Sequence, residues 1–368
     1  MHTTIYRLCF LLAAAPLAPA AVFAQAHDHG PPHDLGRVTF PISCSAEAQR
    51  RFDYAMAVLH SFWWEEGDRA FGAVLAADST CAMAYWGLAL NAWGNPFAGG
   101  SRGAMQQRGA AAAERGLAMG APSPRERGFL AAAVALYRDY ATVPNQRRLQ
   151  AYADTLARLY QRFPDDPEVA IYHALGLIAT ALRTDTTFAN QKRAAAILNP
   201  LFVRFPGHPG LAHYIIHAND SPGLAYLGLN AARRYAQIAP AAPHAQHMPS
   251  HIFVRRGLWD ETIAANQRSF DAGVTYARAQ GRPVVPEQYH ALDYMVYGYL
   301  QQGRDSAARA TVAGALALTA ARATDALLAN YNRTAMEARI PLERGDWAAA
   351  AALPVRSGQP GIGAALSR

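Results

Sequence analysis

His244, His247 and His251 stand at spacings of three and four residues in Pro243-His244-Ala245-Gln246-His247-Met248-Pro249-Ser250-His251. On a helix those spacings put three imidazoles on one face, one above another. Imidazole suits Zn, Cu, Fe and Ni, so such a stripe is a start on a transition-metal site. It is also compatible with a polar, solvated helix start that happens to be His-rich. Weighing for metal, eight of the thirteen histidines lie between His173 and His290. No cysteine falls in that stretch, which excludes a Cys-rich zinc site. His-Glu-x-x-His is absent, so the general base of that protease motif is missing. There is no Walker-type phosphate loop and no dinucleotide fingerprint either.

These side chains need helices to position them, and the chain supplies helical pattern almost throughout. Apolar residues at helical spacing predict helices over 46–62, 63–77, 81–93, 106–119, 123–140, 145–163 and 167–182. Short turns with Pro, Gly or Asp join them, and no alternating strand pattern is found. The breaks recur. Arg162-Phe163-Pro164-Asp165-Asp166-Pro167 parallels Arg204-Phe205-Pro206-Gly207-His208-Pro209, each launching a helix on Pro. Gly257, Gly303 and Gly345 close helices at intervals of 46 and 42 residues. Recurring helix-turn-helix units of this kind predict an all-α solenoid.

The units resemble tetratricopeptide repeats (TPR). Ala84-Tyr85-Trp86-Gly87-Leu88-Ala89 looks like a first helix, and Gly257-Leu258-Trp259-Asp260-Glu261-Thr262-Ile263-Ala264 looks like the turn into a second. The intervals are longer than the family's unit, so helices or loops are lengthened. The chain is also similar to a group of exported bacterial repeat proteins with Cys44, the Cys81-Ala-Met-Ala-Tyr-Trp-Gly segment and a His-rich core. The resemblance implies a concave groove lined by first helices. Its register places His244, His247 and His251 there, with His290, Asp293 and Tyr297 from the next unit, His173 from an earlier one, and His213 and His217 between. His60 falls two repeats away and reads as structural. The expected ligand set is therefore His173, His213, His217, His244, His247, His251, His290 and Asp293, with Asp220 and Asp293 able to bind or to orient imidazoles. His244, at the helix start, is the weakest member of the stripe. One or two ions (Zn, Cu, Fe, Ni or Mn) fit such donors. Such repeats also commonly hold a peptide or partner protein in the groove, which is the competing expectation.

The ends of the chain bear on compartment. Arg7, an apolar run over 8–22 and small-residue patterns at Val22-Phe23-Ala24 or Ala24-Gln25-Ala26 predict a cleaved export signal over 1–24. Residues 25–41, with His27, His29 and His33, read as a flexible lead-in; a third-position His behind a free amine is also a Cu(II) or Ni(II) ligand set. The repeats span 42–355, and 356–368 is a tail. No later segment has the length and apolarity of a membrane span, so a periplasmic or secreted protein is expected. Cys44 and Cys81 then remain as an even pair, either bridged or as two buried thiols. A bridge would close a loop worth about 3–4 kcal/mol on chain-entropy grounds. The formal charge of +7 is scattered singly and in pairs. No basic run or nucleic-acid signature accompanies it.

Overall fold

A computed structural model describes residues 34–97, 99–283, 286–318 and 323–354. The expected export signal over 1–24, His27, His29, His33 and the expected tail over 356–368 lie outside them. Among the described residues the fold is all helical, with no strand. The first helices are α1 (Ala46–His60), α2 (Trp64–Ala77), α3 (Ala82–Trp93), α4 (Gly103–Met119), α5 (Pro124–Tyr137) and α6 (Asn145–Arg162). The middle of the chain gives α7 (Pro167–Ala179), α8 (Ala189–Arg204), α9 (Pro209–Asn219), α10 (Ala225–Ile238), α11 (Pro243–His247) and α12 (Pro249–Arg255). The remainder gives α13 (Trp259–Ala279), α14 (Pro286–Gln301), α15 (Asp305–Ala317), α16 (Ala323–Glu343) and α17 (Trp347–Ala351). No described helix is long and apolar enough to cross a membrane.

Most helices pack on their neighbours in the chain, as α1 on α2, α5 on α6, α9 on α10 and α13 on α14, while α11 packs mainly on α13 and α16 mainly on α14. The predicted starts hold where a cap enforces them. Asp166 accepts from the Val169 N–H and His208 from the Leu211 N–H, each ahead of a Pro that opens α7 or α9. The core is aromatic at its amino-terminal end, where Phe40, Phe52, Trp86 and Phe129 meet edge to face.

Two expectations change. Residues 34–41, read as part of a flexible lead-in, are packed: Leu35, Val38 and Phe40 are buried, and the Arg125 guanidinium lies 4.2 Å from the Phe40 ring centroid. Apolar side chains every two or three residues gave this coil a buried face that Pro and Gly nearby had masked. The helix over 46–62 ends early, at His60, because Phe62 adopts φ 52° and turns the chain. That left-handed conformation is rare for a bulky side chain and persists only where surroundings hold it. Cys44 and Cys81 form a disulfide, tying the segment before α1 to the start of α3.

Candidate metal centre

The stripe that opened the sequence is not one uninterrupted helix. Pro249 has no N–H to give, so the ladder lapses at Met248 and α11 hands over to α12. Met248 keeps helical dihedrals (φ −54°, ψ −35°), so His244, His247 and His251 stay on a near-helical path. Across from them, α9 carries His213 and His217, and α14 carries His290.

Six imidazoles gather as two triads, His213–His217–His244 and His247–His251–His290. In each, one ligand atom per residue lies within 4.8 Å of the others. The triads adjoin: ring centroids are 6.0 Å apart for His244–His247 and 6.4 Å for His217–His251. In both, two Nε2 atoms face one another at 3.0 Å, His213 with His217 and His247 with His251. That is close to the separation, roughly 3 Å, of two nitrogens each about 2.0–2.1 Å from one ion.

Hydrogen bonds on the far side of the rings decide where the protons are. His213 Nδ1 is 2.6 Å from the His60 carbonyl oxygen, so it must donate. His247 Nδ1 donates to Asn266 Oδ1 at 2.6 Å; the Asn266 amide is oriented by its own N–H to Thr262 O. His251 Nδ1 donates to Asp220 Oδ2 at 2.9 Å, and Arg255 Nε holds the other oxygen. A neutral imidazole has one N–H, so each of these three rings turns an Nε2 lone pair inward. Metal-binding histidines are oriented in this way by carbonyl and carboxylate partners. His244 Nε2 is buried and has no hydrogen-bond partner, so it too is left for a ligand.

Burial pushes His213 down to about 3 and His290 down to about 4. Burial, reinforced by neighbouring imidazoles, holds His217, His244 and His247 well below the ordinary value. Burial works against the Asp220 carboxylate, yet His251 and Arg255 hold it below its ordinary range.

Two expected ligands are not brought in. His173, on α7, stacks on Tyr160 with ring centroids 5.0 Å apart and belongs to neither triad. Asp293 is buried with its two oxygens 2.6 and 2.9 Å from Arg339, so the guanidinium has the lone pairs an ion would need. Asp220 is the carboxylate that orients an imidazole. His244, expected as the weakest member, completes the first triad. Its ring lies 5.1 Å from that of His213 and stacks on Phe62.

A third group, His60, Glu168 and His208, is completely buried. His208 Nδ1 accepts the Leu211 N–H at 3.3 Å, so its proton is on Nε2, donated to Glu168 Oε1 at 2.9 Å. His60 Nε2 lies 3.1 Å from Glu168 Oε2, and its Nδ1 meets the Tyr214 hydroxyl at 3.1 Å. Burial opposes the Glu168 charge, but His208 and His60 bring its carboxyl below the ordinary range. A metal here would need the His208 proton moved to Nδ1, donor against donor with Leu211. Reading His60 as structural therefore stands, with one addition: its carbonyl orients His213. Gly210 permits this approach, since a Cβ there would lie 2.5 Å from His60 Nδ1.

Asn266 on α13, Phe62 in the turn after α1, and Glu168 on α7 in the neighbouring group had no signal in the motif, because distant parts of the chain bring them to the histidines. One motif-like string, Gly99-Gly100-Ser101-Arg102-Gly103, spells a nucleophile elbow. It runs from coil into the first residue of α4, and no strand precedes it among the described residues, so the strand-turn-helix geometry of that motif is not formed there. No known protein-family model matches the chain, and no curated protein matches it.

Proposed function

We propose that this is an exported, TPR-like solenoid protein that binds transition-metal ions at two adjacent imidazole triads. The observation that carries the reading is the His247–His251 pair. Both Nδ1 protons are committed outward, to Asn266 and Asp220, so two Nε2 lone pairs meet at 3.0 Å. Either an extra proton or a cation must sit between them. Burial disfavours the proton on His247, and a cation shared with His290 would satisfy both lone pairs at once. Donors that are all imidazole suit Zn, Cu, Fe or Ni better than Mn, which prefers oxygen. Neighbour-on-neighbour helix packing supports the solenoid, and the Cys44–Cys81 bridge supports an oxidising compartment. An inner surface lined with imidazoles favours an ion over a peptide.

The test is metal content of tag-free protein after reconstitution with each of Zn, Cu, Ni, Fe and Mn. One to two equivalents should survive gel filtration, and His247→Ala with His251→Ala should remove at least one. Less than about a tenth of an equivalent with every metal would sink the reading, since structural and catalytic sites bind tightly enough to survive the column.

A further inference from the structure

The two triads face different surroundings. The first is walled by rings: Phe62 is 4.4 Å from His213, Phe97 is 4.2 Å from His217, and Tyr235 stacks on His213. In the second, His251 forms part of the wall of a cavity of about 240 Å³, together with Arg255, Tyr294, Tyr297 and Arg339. Drug-sized ligands need about 300–1,000 Å³, so this cavity suits something smaller.

Its charge is balanced until an ion arrives. Asp220 offsets Arg255, and Asp293 offsets Arg339. A divalent ion on His247, His251 and His290 would add positive charge beside these balanced pairs. Arg255 spends only Nε on Asp220, and a guanidinium has five N–H donors, so its Nη groups remain for a ligand. Arg339 lies over the Tyr297 ring, 5.4 Å from the centroid, and keeps Nη1 beyond its two bonds to Asp293. Guanidinium forks of this kind match the oxygens of carboxylate and phosphate. Tyr294 packs beside all three imidazoles, with ring centroids 4.6–5.3 Å away, and supplies a wall rather than a charge.

We propose that the His247–His251–His290 centre is an open three-imidazole site that takes a small oxyanion, one oxygen on the ion and others on Arg255 and Arg339. The inference rests on the metal reading. Three imidazoles with a free position are the arrangement of exchangeable rather than closed metal sites, and the ringed first triad is the closed counterpart.

The experiment uses the full chain loaded with cobalt(II), whose visible spectrum reports its ligands. Cobalt uptake is first measured by equilibrium dialysis. The loaded protein is then titrated with sodium acetate and, separately, with inorganic phosphate, at ionic strength fixed by sodium perchlorate. A saturable spectral change is expected with at least one anion, and the tighter of the two tells carboxylate from phosphate. Arg255→Gln should weaken that anion by about tenfold or more, the worth of a lost charge-assisted hydrogen bond. Arg339→Lys, which keeps a cation on Asp293, should weaken it too, and cobalt uptake by each variant is measured first so that the anion titration is read on fully loaded protein. Cobalt uptake with no saturable anion response, or an Arg255→Gln titration equal to the parent's, overturns the inference and leaves the metal reading intact. No cobalt uptake overturns both, and shows before any anion is added.

Discussion

His247 and His208 are both buried and both hydrogen-bonded on the far side of the ring, but to opposite partners. Beyond His247 stands an acceptor, Asn266 Oδ1; beyond His208 stands a donor, the Leu211 N–H. The first ring therefore turns a lone pair toward its group and the second turns a proton. Two acceptors facing one another at 3.0 Å ask for a cation or a shared proton. Two N–H groups converging on Glu168 complete a buried carboxylate. Two histidine groups with similar distances thus acquire different chemistry from one atom on the side away from the cluster.

Removing the centre of each group should separate them most sharply. Glu168→Ala leaves two buried donors facing a void and should cost about 3–5 kcal/mol, read as a lower melting temperature by circular dichroism. His247→Ala with His251→Ala removes two opposed lone pairs, so the metal-free fold should hold while metal binding at that triad is lost. If Glu168→Gln keeps the fold but abolishes metal uptake by itself, the assignment of the two groups is reversed.

Metal should stabilise only through the imidazole cluster. At a hundredfold excess over the dissociation constant a bound ion adds about 2.7 kcal/mol. The melting temperature should therefore rise with metal, fall back with chelator, and rise by less in the double His variant, which keeps the His213–His217–His244 triad. A rise of equal size in that variant would place the ion elsewhere.

Acid should act on the cluster before it acts on Glu168. Folded His213 and His290 hold off protons until about 3 and about 4, whereas the unfolded chain takes them at 6.5. The unfolded state binds more protons in that window, so stability is full above pH 6.5 and lost as pH falls toward 4 and then 3. Each such residue contributes up to about 1.4 kcal/mol per pH unit. Denaturant melts of metal-free protein between pH 7 and 4 would show it, and a flat profile would mean the imidazoles titrate alike in the folded and unfolded chain.

The smallest effect is expected from the orienting amide. Asn266→Ala frees the His247 ring to change tautomer and should weaken metal binding by about tenfold, the lower end for such outer partners. Unchanged affinity would show that the tautomer is set by the ion alone.

The sequence by itself determined the helices, because Pro, Gly and Asp punctuation and apolar spacing are local. It also determined that His213, His217, His244, His247 and His251 come in pairs three or four residues apart, the one distance along a chain that a helix turns into a distance in space. Tertiary structure alone decided which pairs meet. His173, expected to share a register with the other histidines, ends against Tyr160. Asp293 has a ligand's chemistry, yet Arg339 claims both its oxygens. The tautomers were beyond the sequence for the same reason. They depend on His60 O, Asn266, Asp220 and the Leu211 N–H, each brought by packing to the far side of a ring. Spacing tells which way a side chain can point, but only the neighbour behind it settles whether it offers a proton or a lone pair.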